Sequence, residues 1–333
     1  MRAVVLTSHG APEVLQVQER PDPRPGPGQV AIDVAAAGVN FADTMARVGV
    51  YPDAPKPPCV LGYEVAGTVA AVGDGVSTPA AGDRVMAGTR FGGYASRVVV
   101  RAVDAVALPD GVGFEAAAAI PVNYATAWAG LMTYANLQPG ERVLLHAAGG
   151  GVGIAATQIA KRAGAEVHGT ASPAKHDAIR GFGVDVAHDY TREGWERGLP
   201  PFDVIMDAVG GASVRRSYGM LRPGGRVVTF GASSVMSGET RNLLKAAPQA
   251  LRMLRGFNLM DQMADSKAVI GLNLLRLWDD RGTLDPWITP LHEMLEDGTL
   301  RPVVHEAVPF DRAAEAHRIL GERRNVGKVV LVP

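Results

Sequence analysis

The residues with the clearest chemical purpose lie in the run Val143-Leu144-Leu145-His146-Ala147-Ala148-Gly149-Gly150-Gly151-Val152-Gly153-Ile154. An apolar stretch leads into a glycine-rich turn and then into a helical pattern. Glycines let a backbone approach a pyrophosphate closely, and the free N–H groups at a helix start complement its charge. Written strictly the pattern is AxGxxG. Ala148, Gly150 and Gly153 hold its fixed positions, with Gly151 and Val152 between the last two. It follows a strand, opens a helix and sits in a unit of about 30 residues, the context that separates a dinucleotide site from a bare tight turn.

The end of the next strand indicates which dinucleotide. A carboxylate there would accept from a ribose 2′-hydroxyl and repel a 2′-phosphate. The sequence reads His168-Gly169-Thr170-Ala171-Ser172-Pro173-Ala174-Lys175, with no Asp or Glu. Ser172 and Lys175 are placed to donate to a phosphate, so the expected cofactor is NADP(H). Lys175 is also readable as a solvated lysine on a helix surface.

The elements that must position these groups change character along the chain. Arg2–Thr7, Val14–Gln18, Gln29–Ala35, Val65–Val72, Arg84–Ala87 and Tyr94–Arg101 are Val-rich runs split by Gly and Pro, and they predict strands. The proline cluster between 21 and 27 excludes helix interior and central strand and marks a surface connection. Asn40–Arg47 predicts a short helix. Glu115–Ala119 and Ala125–Ala135 predict further helices, interrupted by Pro121. Strands then alternate with helices: Val143–His146, Ile154–Ala163, Glu166–Thr170, Ala174–Arg180, Asp203–Met206, Arg226–Phe230 and Ala268–Gly271. This alternation predicts an α/β fold with a doubly wound parallel sheet. A helix at Leu291–Glu296, a strand at Val303–Val308, a helix at Arg312–Leu320 and a strand at Lys328–Val332 complete the chain.

Composition bounds the function. Of 333 residues, Lys and Arg number 33 and Asp and Glu 34, so no global charge favours nucleic acid or an anionic membrane. The single Cys59 excludes an intrachain disulfide and any zinc site of several thiolates. The apolar run at the N-terminus is too short for a signal peptide, and no stretch reaches the ~18 apolar residues of a membrane span. A cytoplasmic protein is expected. The basic segment Arg241–Arg255 contains Pro248 and is read as a charged helix face over a cleft rather than a membrane-surface helix.

Several further blocks stand in order: Gly38-Val39-Asn40-Phe41-Ala42-Asp43, Leu61-Gly62-Tyr63-Glu64-Val65-Ala66-Gly67, His146–Gly153, Gly169-Thr170-Ala171-Ser172 with Lys175-His176, Asp207-Ala208-Val209-Gly210-Gly211 and Asn325-Val326-Gly327-Lys328-Val329-Val330-Leu331. With these, essentially the whole chain resembles a medium-chain dehydrogenase/reductase of the quinone oxidoreductase (zeta-crystallin-like) group. It is most similar to the vesicle amine transport protein branch. The resemblance implies a GroES-like β domain built from residues 1–121 and 276–333, and a Rossmann NADP(H)-binding domain over 122–275. It also implies a homodimer paired through the edge strand Ala268–Gly271. Zinc-dependent members carry a Cys where this chain has Asn40 and a His where it has Tyr63, so no metal is expected. Without a Lewis acid to hold an alkoxide, a quinone or α,β-unsaturated carbonyl, which delocalises the charge, is the expected hydride acceptor.

In the resembled family the residue at Asn40 lies beside the nicotinamide, where its amide can donate to a developing oxyanion; Asn40 equally suits the N-cap of the helix that follows. Tyr51 and Tyr63 are candidates for lining the substrate pocket and donating through their hydroxyls, or for packing alone. Thr126, Tyr190, Phe230, Gly231, Ala232 and Asn325 match cofactor-contacting positions of the family, and Thr170 precedes the candidate phosphate site. His146 is read as structural, and His305 and His317 as incidental. Two rival readings are an enoyl-thioester reductase and a non-enzymatic RNA- or membrane-binding crystallin-like protein. With both zinc-ligand positions replaced, elemental analysis of the purified protein is expected to find no stoichiometric zinc; one zinc per chain would overturn the metal-free reading.

Overall fold

The computed structural model describes residues 1–235 and 257–333. The basic segment Arg241–Arg255 lies outside the described residues. The Val-rich runs of the first third form β1 (Arg2–Leu6), β2 (Leu15–Glu19), β3 (Gln29–Val39), β4 (Cys59–Val60), β5 (Glu64–Val72), β6 (Arg84–Gly88), β7 (Arg97–Arg101) and β8 (Ala105–Ala107). β3 runs past the expected Ala35 because Ala36 to Val39 pair with β5 on one side and with the C-terminal strand on the other. The strand expected from Tyr94 begins at Arg97 instead, since the Tyr94 N–H donates to the Leu61 carbonyl.

From residue 142 the chain alternates as expected. β9 (Arg142–Leu145), β10 (Glu166–Ala171), β11 (Val186–Asp189), β12 (Phe202–Asp207), β13 (Leu221–Thr229) and β14 (Ala268–Gly271) form one sheet in the order β11-β10-β9-β12-β13-β14. Every pairing in it is parallel. The order reverses between β9 and β12, and in such sheets ligands bind outside the carboxyl ends at that switch point. Helix Asn123–Trp128 continues into one wide π turn, Ala129–Tyr134, where a single helix was expected.

β15 (Val304–Pro309) and β16 (Lys328–Val332) return to the first sheet, whose order is β15-β16-β3-β5-β6-β8 with β7 paired to β3. β16 is antiparallel to β3, with Val329 opposite Val39 and Val330 opposite Gly38. Strands from before and after the parallel sheet therefore build this seven-stranded sheet, while β1, β2 and β4 form a separate three-stranded one in the order β2-β1-β4. The expected junction between 275 and 276 falls within helix Leu274–Arg281, whose Leu275 and Trp278 join the same core as Ala127 and Leu131.

His317, on helix Ala313–Gly321, is buried beside Tyr94, their rings edge-on with centroids 6.0 Å apart. Burial, and then the Arg47 charge, push its pKa down to about 3. The unfolded chain thus takes up this proton first. The contribution to stability is complete above the unfolded value of ~6.5 and is lost as pH falls toward about 3. The free-energy difference between wild type and His317→Phe, measured by urea unfolding, is expected to move against wild type as pH is lowered from 7.5 to 4. A difference independent of pH would overturn the assignment.

Candidate functional site

A cleft of about 930 Å³ lies at the carboxyl ends of β9, β10, β12 and β13 and extends to β3 and β16 of the other sheet. Of the residues expected to bind or catalyse, Asn40, Tyr51, Tyr63, Thr126, Gly150, Gly151, Val152, Gly153, Thr170, Ser172, Lys175, Tyr190, Phe230, Gly231, Ala232 and Asn325 all line it. Ala148 does not. Its N–H donates to the Thr170 carbonyl, and its methyl group packs beneath Gly169, where a Cβ would lie 2.7 Å away.

The glycine turn is shaped by close approach. A Cβ on Gly153 would sit 2.4 Å from the Ala147 carbonyl oxygen, and one on Gly151 would sit 2.1 Å from the Asn123 amide. In helix Gly151–Arg162 the first internal bond runs from Ile154 N–H to the Gly150 carbonyl at 2.9 Å. The N–H groups of Gly151, Val152 and Gly153 are left pointing ahead of the helix. This bare, donor-lined cradle fits a pyrophosphate.

Polar side chains hold the turn from below. Asp207 Oδ1 accepts from the N–H groups of Val209 and Gly210, and its Oδ2 accepts from Ser217 Oγ at 2.9 Å. Having spent its proton there, Ser217 accepts from His146 Nε2 at 3.0 Å, which fixes the tautomer. His146 Nδ1 then accepts from Thr170 Oγ, which accepts in turn from the Ala147 N–H, both at 3.3 Å. Ala147 has φ of 57°, so this chain of bonds steadies a left-handed residue in the turn. Burial holds the His146 pKa below its ordinary value, keeping the ring neutral, with Asp207 opposing. His146 is structural, as expected, and Thr170 serves the turn through its hydroxyl.

The cationic wall at the end of β10 brings in the far end of the chain. Lys175 Nζ donates to the carbonyls of Arg323 and Asn325 at 2.7 and 2.6 Å, so it is anchored rather than solvated. Its pKa lies below the ordinary value, through burial first and then the Arg323 charge. Arg323 lines the cleft beside it and was missed in the sequence because only the fold joins residues 175 and 323. The Asn325 side chain bonds the Gly327 carbonyl, and the Gly327 N–H donates to Gly149. Among the described residues the cleft is lined by Lys175, Arg216, Arg323 and Lys328 and by no Asp or Glu, as suits an anionic ligand.

At the opposite end Phe41, Met45, Tyr51, Tyr63, Trp278 and Leu284 make an apolar chamber. Asn40 caps helix Phe41–Arg47 through its backbone: its carbonyl accepts from Asp43 N–H, and its own N–H donates to Asp43 Oδ2 at 2.8 Å. Burial pushes the Asp43 carboxyl up to about 7, against the N–H groups of Asn40 and Gly62. The Asn40 amide is engaged elsewhere. Its Nδ2 donates to Glu64 Oε1 at 2.9 Å and its Oδ1 accepts from Lys328 Nζ at 2.6 Å. Tyr63 packs between Tyr51 and Phe91, and its buried hydroxyl interacts with that of Tyr51. Burial, then the Asp43 charge, hold its pKa above the ordinary value, so it is a neutral donor.

Comparison with known proteins agrees with this geometry. Residues 26–110 match the alcohol dehydrogenase GroES-like domain and residues 182–331 the zinc-binding dehydrogenase family. The synaptic vesicle membrane protein VAT-1 homolog of Homo sapiens is 38% identical over 341 residues, covering 100% of this chain and 86% of its own. The chain belongs to the medium-chain dehydrogenase/reductase superfamily. Within it the likeness is to the zinc-independent quinone oxidoreductase and VAT-1 branch. The fold is accordingly a GroES-like β domain joined to a Rossmann domain. A Pseudomonas syringae quinone oxidoreductase superposes with a TM-score of 0.83 at 33% identity, covering 100% of this chain and 99% of that one. A mycobacterial protein complexed with NADPH gives 0.85 at 30%, covering 100% of both. The CurK enoyl reductase gives 0.86 at 28%, covering 99% and 98%. The chain is thus an oxidoreductase of a family that binds a nicotinamide cofactor.

Proposed function

We propose that this chain transfers a hydride from NADPH to a quinone or α,β-unsaturated carbonyl without a metal ion. The observation that carries the cofactor half is the wall at the end of β10. Ser172, Lys175 and Arg323 line the cleft there, and among the described residues no carboxylate does. A 2′-phosphate would find donors and positive charge and no repulsion. The likeness to a protein complexed with NADPH supports the same reading.

The nicotinamide supplies the hydride when bound. The turn at Gly150–Gly153 holds the pyrophosphate by main-chain N–H groups, and Thr126, Phe230, Gly231, Ala232, Asn325 and Tyr190 frame the rest of the dinucleotide. The apolar chamber excludes water from the acceptor. The Asn40 amide and the Tyr63 and Tyr51 hydroxyls donate to the oxygen on which charge develops. Zinc ligands are replaced by Asn40 and Tyr63, so these hydrogen bonds take the role a Lewis acid has elsewhere in the superfamily. Conjugated acceptors suit that weaker stabilisation.

The likeness to an enoyl reductase favours a second reading, reduction of an enoyl thioester within the same chemistry. β14 pairs only with β13, and its open edge among the described residues supports a homodimer formed by joining two sheets. No described helix is long and apolar enough to cross a membrane. A cytoplasmic enzyme completes the proposal.

NADPH is expected to bind at least about tenfold more tightly than NADH, a difference of ~1.4 kcal/mol, by fluorescence titration. Arg323→Ala leaves the carbonyls that anchor Lys175 in place and is expected to remove most of that preference; Lys175→Ala is expected to weaken NADPH selectively. Equal affinities in wild type would overturn the NADPH assignment. Initial rates against quinones, enones, enoyl thioesters and ketones separate the two acceptor readings.

A further inference from the structure

The floor of the apolar chamber holds a charged group that the reaction described above does not use. Lys328, the first residue of β16, is 3% exposed, lines the cleft and is surrounded by the wall of the first sheet. Its ammonium donates to Asn40 Oδ1 at 2.6 Å and to Glu64 Oε1 at 2.5 Å. Asn40 Nδ2 closes the ring by donating to the same Glu64 oxygen at 2.9 Å. Glu64 is fully buried, and its Oε2 accepts the Val122 N–H at 2.7 Å.

Three strands create this ring through register alone. Val329 stands opposite Val39, and Ala37 opposite Val65, so the next residues along β16, β3 and β5 meet at one corner of the sheet. Gly38 makes the corner possible: a Cβ there would lie 2.6 Å from the Glu64 side chain, which crosses it. The site is therefore built, with each member held by backbone pairing.

The ring has a chemical consequence for Asn40. An ammonium can only donate and a carboxylate only accept, so the amide can take one orientation, with oxygen toward Lys328 and nitrogen toward Glu64. One Nδ2 hydrogen is committed to Glu64. The other has no protein partner among the described residues, and Asn40 borders the cleft. A cation on the amide oxygen also draws electron density from the nitrogen, which strengthens the remaining N–H as a donor.

We infer that Lys328 is a positioning residue for hydride transfer: it fixes and polarises the Asn40 amide so that its free N–H faces the oxygen of the acceptor. This rests on the reductase reading above, with Asn40 as the group that touches substrate. Lys328 acts through it.

The test is a double-mutant cycle with Asn40→Ala, Lys328→Met and the combined variant, assayed with NADPH and a quinone that wild type reduces. Each single change is expected to lower kcat by about 10²-fold, the scale of losing one oxyanion donor, with little change in the affinity for NADPH. The combined variant is expected to lose no more than either alone, because both remove the same N–H. Losses that multiply would overturn the inference. Lys328→Met leaves Glu64 buried and unpaired, so Glu64→Gln/Lys328→Met, which removes both charges, serves as the folded counterpart and is expected to match Asn40→Ala in kcat. Wild-type kcat in that variant would equally overturn it.

A second readout needs neither cofactor nor turnover. In the cofactor-free protein the Asn40 side-chain NH₂ resonances, identified by their loss in Asn40→Ala, are expected to be fixed and inequivalent. In Glu64→Gln/Lys328→Met they are expected to shift and exchange faster with solvent. Unchanged resonances would remove the positioning role. A wild type that reduces no acceptor while showing the locked amide would instead reject the reductase reading and leave the lock standing.

Discussion

The two domains are tied together by the short segment that precedes β16. Gly327 donates its N–H to the Gly149 carbonyl of the glycine turn; its φ is 89°, and a Cβ on it would lie 2.3 Å from the Val303 carbonyl oxygen. Two residues later, at Val329, the chain pairs with β3. The glycine turn, the cationic wall and the floor of the apolar chamber thus meet along one short stretch, Arg323 to Lys328, in which left-handed Arg323 and Gly327 both turn the chain.

The electrostatics follow the same geometry. Among the described residues cations line the cleft without a carboxylate, and the buried acids Asp207 and Glu64 are not part of its lining. Asp207 is fully buried and satisfied by two backbone N–H groups and Ser217, and Glu64 by Lys328, Asn40 and Val122. Removing one partner of such a buried pair typically costs ~3–5 kcal/mol, which makes these networks rigid supports. His146 stays neutral between Thr170 and Ser217 and links the two halves of the Rossmann sheet beneath the turn. Rigid supports below and bare N–H groups above are what a preorganised anion site requires.

Much of this was legible locally. The AxGxxG turn depends on residues within one βαβ unit, so its backbone course follows from glycine placement and hydrophobic alternation. The absence of a carboxylate after β10 is likewise a local fact. The motif marks three positions equally, but Ala148, the first, does not line the cleft: its methyl group faces Gly169 of β10. Short strands such as β4 and β8 carry too few residues for any alternation and were not expected. The helix Leu274–Arg281 spans an expected domain junction because its buried Leu275 and Trp278 are drawn into the shared core.

What the sequence determined by itself was the fold class, the dinucleotide turn and the loss of both zinc ligands, since each is written in residue types close together along the chain. Only the tertiary structure decided which charges meet. Lys328 and Asn40 are separated by 288 positions, and Lys175 and Arg323 by 148, a separation the Lys175–Arg323 bond also spans. No periodicity connects such residues. They come together because antiparallel register is set by burying the apolar faces of β3 and β16, and the polar residues at the strand ends are carried along with it.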